Sequence, residues 1–154
     1  MSVYQGGCQC GAVRYEVTVE PLLAYACHCL ECQKQAASAF GMSVPVPSRT
    51  FRIDGPMKVY RRPTDSGGAT DCWFCTTCGS RLYHQSVSGR DMVTIKGGTL
   101  DRADLLDPVA HIWIKSKQPW VLLPADVPTH ETQPDDLHAW REPQAPSKTR
   151  RHYC

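Results

Sequence analysis

The sequence predicts a mainly β domain with short connectors, and three observations predict it. Apolar residues recur with period two in several short runs, the spacing that turns one face of a strand toward a core. Helix-like stretches are few and short. Nine cysteines, most in C-x-C or C-x-x-C spacings, offer metal knuckles that can pin sheets together.

Each element follows from its local pattern. "AVRYEVTV" alternates, with Val13, Tyr15, Val17 and Val19 on one face and Arg14, Glu16 and Thr18 on the other. "AFGMSVPV" puts Phe40, Met42, Val44 and Val46 on one face, and Pro45 and Pro47 confine its end to a sheet edge. Asp54-Gly55-Pro56 separates two short strand-like runs and reads as a turn or hairpin. "RLYHQSV", "MVTIKGG" and "VAHIWIK" are further strand candidates. Helical pieces are limited to "LECQKQA" and to "RADLL" after Asp101, a candidate N-cap. The expected arrangement is mostly antiparallel.

From about Pro124 the chain turns rich in Pro, Asp, Thr and Gln, with Leu137 and Trp140 as isolated apolar anchors. Residues 1–125 therefore read as one domain and 126–154 as a Pro-rich, partly loose C-terminal extension. An extension that folds over the domain or pairs with a second subunit is the minority alternative. A homo-oligomer is left open.

Charge narrows the partners. With 17 basic and 15 acidic residues, a formal net charge of +2, there is no electrostatic case for nucleic acid or an anionic membrane. "KTRR" is one short charge run within the extension. No apolar run is long enough to span a bilayer, and "MSVYQGGCQCG" lacks the basic and apolar regions of a signal peptide. The expected location is the cytoplasm, where cysteines are more often metal ligands or redox groups than disulfides.

The cysteines fall into groups. Cys8 and Cys10 form C-x-C, Cys27, Cys29 and Cys32 form C-x-C-x-x-C, and Cys75 and Cys78 form C-x-x-C with Cys72 just before. Gly11 and Gly79 each follow a knuckle directly, where a positive φ often closes the turn. Pairing Cys8 and Cys10 with Cys75 and Cys78 yields four thiolates and a closed tetrahedral zinc site, a stabilising role. Cys27, Cys29 and Cys32 leave three ligands and an open position, the arrangement of a catalytic zinc. A closed second site completed by Cys72, His28, His84 or His111, and a metal-free redox cluster, are the rivals. Cys154 is terminal and incidental.

"GGCQCGAVRYEV", "CHCLECQK" and "WFCTTCGSRLYH", in that order, resemble the glutathione-dependent formaldehyde-activating (GFA) family, which includes CENP-V-like proteins. "HIWIKSKQPW" resembles the family's late strand and turn, so the likeness covers roughly residues 4 to 125. It implies a zinc-stabilised β-tent-like fold of antiparallel sheets with short helical connectors. It implies zinc at two sites: structural at Cys8, Cys10, Cys75 and Cys78, and catalytic-type at Cys27, Cys29 and Cys32. Cys72 is outside the family pattern.

The implied activity is zinc-dependent formation of a thiol–aldehyde adduct, or its reverse, a carbon–sulfur lyase of the S-(hydroxymethyl)glutathione synthase type. Its partners would be glutathione or a similar thiol and an aldehyde. The alternative is a non-enzymatic zinc-stabilised thiol carrier or protein-binding module. His28 and Lys34 could bind a carboxylate of a glutathione-like ligand or pass a proton, but read more simply as solvated side chains. His84 and His111 read as hydrogen-bonded scaffold residues, and Trp73 and Trp113 as core.

Overall fold

The computed structural model describes residues 1–136. Eleven strands and one short α-helix form two sheets. The smaller sheet, order β1-β2-β5, contains β1 (Ser2–Gly7), β2 (Arg14–Val19) and β5 (Phe51–Asp54). The larger contains β3 (Ala24–Cys27), β4 (Gly41–Pro47), β6 (Met57–Pro63), β7 (Ala69–Cys75), β8 (Arg81–Ser86), β9 (Met92–Lys96), β10 (Pro108–Ile112) and β11 (Thr129–His130). Its order is β11-β10-β3-β4-β9-β8-β7-β6. Most neighbours are antiparallel, as the alternating runs predict, but β3, β10 and β11 run parallel. No helix among the described residues is long and apolar enough to cross a membrane.

The core is drawn from both sheets. Val13, Tyr15, Val17 and Phe51 from the smaller sheet's side meet Val44, Val46, Leu82, Val93 and Ile95 of the larger. Each fully buried aliphatic side chain here contributes about 1.5–3 kcal/mol. The period-two reading of β2 holds, with Tyr15 and Val17 buried and Arg14 and Glu16 exposed between them. The predicted β4 also forms, and its Pro45–Pro47 end is bordered by β9 alone, since β3 pairs only with Gly41–Ser43. The other end is interior to the sheet, so the edge prediction holds for half the strand.

Two local predictions change in context. The Asp54-Gly55-Pro56 turn forms no hairpin: β5 pairs with β2 and β6 with β7, so the turn carries the chain from one sheet to the other. Turn chemistry reverses a chain locally, whereas strand partners are chosen by burial. Phe51 packs its ring 5.4 Å from Tyr15 in the core, while Val59 and Tyr60 on β6 stay exposed. "RADLL" yields one 3₁₀ turn, Ala103–Leu105, with no side-chain cap; Asp101 instead pairs with Arg14.

The predicted helix "LECQKQA" is α1 (Leu30–Ala36). Beyond Pro124 the chain continues along the large sheet: the His111 amide donates to Pro128 O at 2.9 Å, and Trp113 Nε1 donates to Gln133 Oε1 at 3.2 Å. Leu137, Trp140, "KTRR" and Cys154 lie outside the described residues.

Candidate metal centres

Two knuckles separated by 65 residues meet at the first centre. Cys8 and Cys10 lie between β1 and β2, and Cys75 ends β7 with Cys78 in the following turn. Their four sulfurs lie within 4.8 Å of one another, close enough to hold one ion. Cys8 Sγ and Cys10 Sγ are 3.5 Å apart, and Cys10 Sγ and Cys75 Sγ 3.8 Å. Tetrahedral zinc with bonds of about 2.3 Å requires sulfurs about 3.8 Å apart, so the set fits zinc.

Backbone amides support these sulfurs. Val13 N–H donates to Cys8 Sγ at 3.2 Å and Thr77 N–H to Cys75 Sγ at 3.4 Å. The Ser80 hydroxyl and amide push the Cys78 thiol down to about 5. Gly11 and Gly79 have φ of 78° and 75°, the left-handed turn closure expected from their positions. Gln9 N–H donates to Ser80 Oγ at 3.1 Å, which ties one knuckle to the other.

The second centre is local. Cys27 ends β3, Cys29 is the N-cap of α1, and Cys32 sits in its first turn. Their three sulfurs also fall within 4.8 Å of one another. Cys29 Sγ accepts the Cys32 amide at 3.3 Å, so a candidate ligand also caps the helix. Hydrogen bonds from Cys27 and Cys32 pull the Cys29 thiol down, and the same contact with Cys29 drives Cys27 up. Three sulfurs that compete for the same protons are a donor set that a cation would stabilise. Gly41 faces Cys27 across the sheet, and a Cβ there would lie 3.3 Å from Cys32 Cβ. The glycine keeps room for the knuckle.

His28 and His111 are engaged with each other, and Cys72 and His84 lie two or more strands away, on β7 and β8. Extended backbone at Cys27-His28-Cys29 sends both sulfurs to one side and the imidazole to the other. His28 is fully buried, and its Nε2 meets His111 Nδ1 at 3.0 Å. Burial pushes His28 down to about 4, with help from His111 and Lys117. Cys72 lies on β7 opposite His84 and donates its thiol to Thr70 O at 3.8 Å. Among the described residues, no Cys, His, Asp or Glu joins Cys27, Cys29 and Cys32 as a fourth close donor. Lys34 is exposed, as its solvated reading predicts, whereas His28, given the same reading, is buried against Phe40 and His111.

The 116–118 segment holds this centre's loop. Gln33 Nε2 donates to His28 O at 2.7 Å and to Ser116 O at 2.9 Å. Gln118 Nε2 donates to Gln33 Oε1 at 2.8 Å. Sequence reasoning missed this clamp, although the glutamine lies in the quoted helix.

A profile of the glutathione-dependent formaldehyde-activating enzyme family matches residues 3–116, a span that contains both cysteine centres. The chain belongs to this family. Among solved structures, a protein of Rhodobacter sphaeroides is similar with a TM-score of 0.53 and 21% identity, over 81% of this chain and 98% of that one. At that identity the likeness is one of fold. No curated protein matches the chain. Membership of the glutathione-dependent formaldehyde-activating family implies a thiol partner.

Proposed function

We propose that the chain joins glutathione or a similar small thiol to an aldehyde, or splits the adduct, with Cys27, Cys29 and Cys32 as the catalytic centre. The observation that carries this reading is the missing fourth donor at that trio, against four donors at the other centre. In this reading each chain holds two zinc ions. Cys8, Cys10, Cys75 and Cys78 hold a structural one, and Cys27, Cys29 and Cys32 a catalytic-type one.

A zinc ion with an exchangeable position supplies deprotonation of a thiol whose ordinary pKa is about 8.5. The chain's own part is geometric. The trio would fix where the thiol sulfur sits, and Gly41 leaves the room that Cys32 needs to join it. The new bond joins the thiol sulfur to the carbonyl carbon, the carbonyl oxygen takes the thiol proton, and no electron acceptor is needed. Thiol–aldehyde addition is easy in water, so most of the gain comes from proximity. The class is a carbon–sulfur lyase of the S-(hydroxymethyl)glutathione synthase type.

The test is a glutathione titration of cobalt-substituted protein, read by visible absorption. A saturable spectral change, followed by aldehyde-dependent turnover, is the expected result. A spectrum of two occupied sites that ignores the thiol would sink the reading and leave a zinc-stabilised binding module.

A further inference from the structure

We propose that Lys96 and Arg81 form an anion subsite beside the cysteine trio, and that this subsite receives a carboxylate of the thiol substrate. The inference rests on the trio being the thiol site, and it adds the side chains that would hold the thiol's carboxylate.

Strand register places these side chains on one face of the large sheet. Cys27 lies opposite Gly41, and Ser43, two residues on, lies opposite Lys96. His84 lies opposite Thr94, which shares Lys96's side of β9, and Cys72 lies opposite His84. Arg62 extends the same face on β6, by its pairing with Thr70. By simple alternation Arg81 would share a side with Tyr83 and face the core. The register instead shifts between Trp73 and Phe74, so Arg81 pairs with Phe74 and Tyr83 with Trp73. The extra residue, Leu82, goes into the core, and Arg81 turns to the face that bears Lys96 and Cys72.

Among the described residues, these cations lack a carboxylate partner. The ion pairs of the described residues engage Arg14, Arg61, Arg90 and Arg102, and neither Lys96, Arg81 nor Arg62 is in them. Lys96 is 9% exposed. Arg81 Nε and Nη2, Arg62 Nε and His84 Nδ1 are buried without a hydrogen-bond partner. An arginine fork with two idle donors beside a buried ammonium suits a carboxylate, which accepts from several donors at once.

Electrostatic coupling agrees with the register. Burial pushes Lys96 down, while the sulfurs of Cys32, Cys72 and Cys27 pull it back toward its charged form. His84 is coupled to Lys96, Arg62 and Arg81, and to Cys29. Register puts the cationic group on the trio's side of the sheet. Charge balance of the thiolates alone is the rival role for Lys96 and Arg81.

The experiment uses S-methylglutathione, whose thioether cannot form a thiolate, and its diethyl ester, which keeps the peptide skeleton and masks both carboxylates. Binding to the zinc-loaded protein is followed by amide chemical shifts. The acid should give saturable shifts around Lys96 and Arg81, and the ester should bind about tenfold more weakly, as expected for a lost charge-assisted pair. Lys96→Met and Arg81→Met should remove that preference, leave ester binding unchanged and leave the cobalt response to 2-mercaptoethanol intact. Lys96→Arg should keep the preference.

Equal binding of acid and ester, or no saturable shift with the acid, overturns the proposal even if every variant fails to fold. So does a variant that weakens 2-mercaptoethanol and the acid alike, which is the signature of charge balance. A preference for the acid in a protein whose cobalt spectrum ignores thiols upholds the subsite and removes the thiol-addition reading. A cobalt response to glutathione without acid preference does the reverse.

Discussion

The two cysteine centres use similar knuckles and differ in reach. The four-cysteine centre brings together residues 65 positions apart, joining the β1–β2 connection to the end of β7. The three-cysteine centre lies within residues 27–32, at the end of β3 and the start of α1. An ion at the first closes a long loop and adds its binding free energy to folding. An ion at the second orders one local turn and leaves a ligand position for chemistry. On the proposed reading, number of donors and sequence separation together divide the work between stability and reaction.

The largest effect that sharpens this comparison is expected at Cys75. Cys75→Ser should cost on the order of 5–10 kcal/mol, enough to leave the domain unfolded or insoluble. Far-ultraviolet dichroism and metal content check this, and a well-folded variant with two ions would break the pairing. Cys29→Ser should behave oppositely. Serine can still cap α1, so stability should change by about 1 kcal/mol or less. Metal content should fall by one ion, and the response to thiol should disappear.

A smaller effect concerns pH. Burial, then Lys96, Arg62 and Arg81, push His84 down to about 3, below its unfolded value of about 6.5. A lowered histidine contributes stability that is fully present above about pH 6.5 and is lost as pH falls toward 3. His84→Gln should therefore lose about 2 kcal/mol less than the parent between pH 7 and 4, by denaturant titration at each pH. An identical pH slope in parent and variant would contradict the burial argument. The smallest effect is expected at Cys72. Cys72→Ala should cost about 1 kcal/mol of packing and leave both metals in place. Loss of the second ion from that variant would show Cys72 to be its missing ligand.

Several strands escaped the sequence pattern for physical reasons. β3 is buried at every position, Ala24 to Cys27, so nothing alternates. β7 carries buried Thr70, Asp71 and Cys72 in succession, with Asp71 held by Arg61 at 2.8 Å and Arg90 at 3.0 Å. A buried carboxylate reads as surface until its arginines are located. β1 ends in Gly6 and Gly7, and β11 is a two-residue strand that exists through its pairing with β10. Where one face is wet, as in β2, alternation made the strand legible.

The knuckles were legible because their geometry is local. C-x-C and C-x-x-C spacings aim two sulfurs at one point whatever the rest of the chain does, and a glycine follows where the turn needs positive φ. Ligand grouping and mainly β character were therefore accessible from residue order. Whether a fourth donor reaches the trio was not. That depends on which strand places Cys72 and on where His28 finds His111, just as a one-residue shift at Leu82 decides which way Arg81 turns. Side-chain direction in a sheet is set by register, and register is fixed by the packing of distant strands rather than by the residues that bear the side chains.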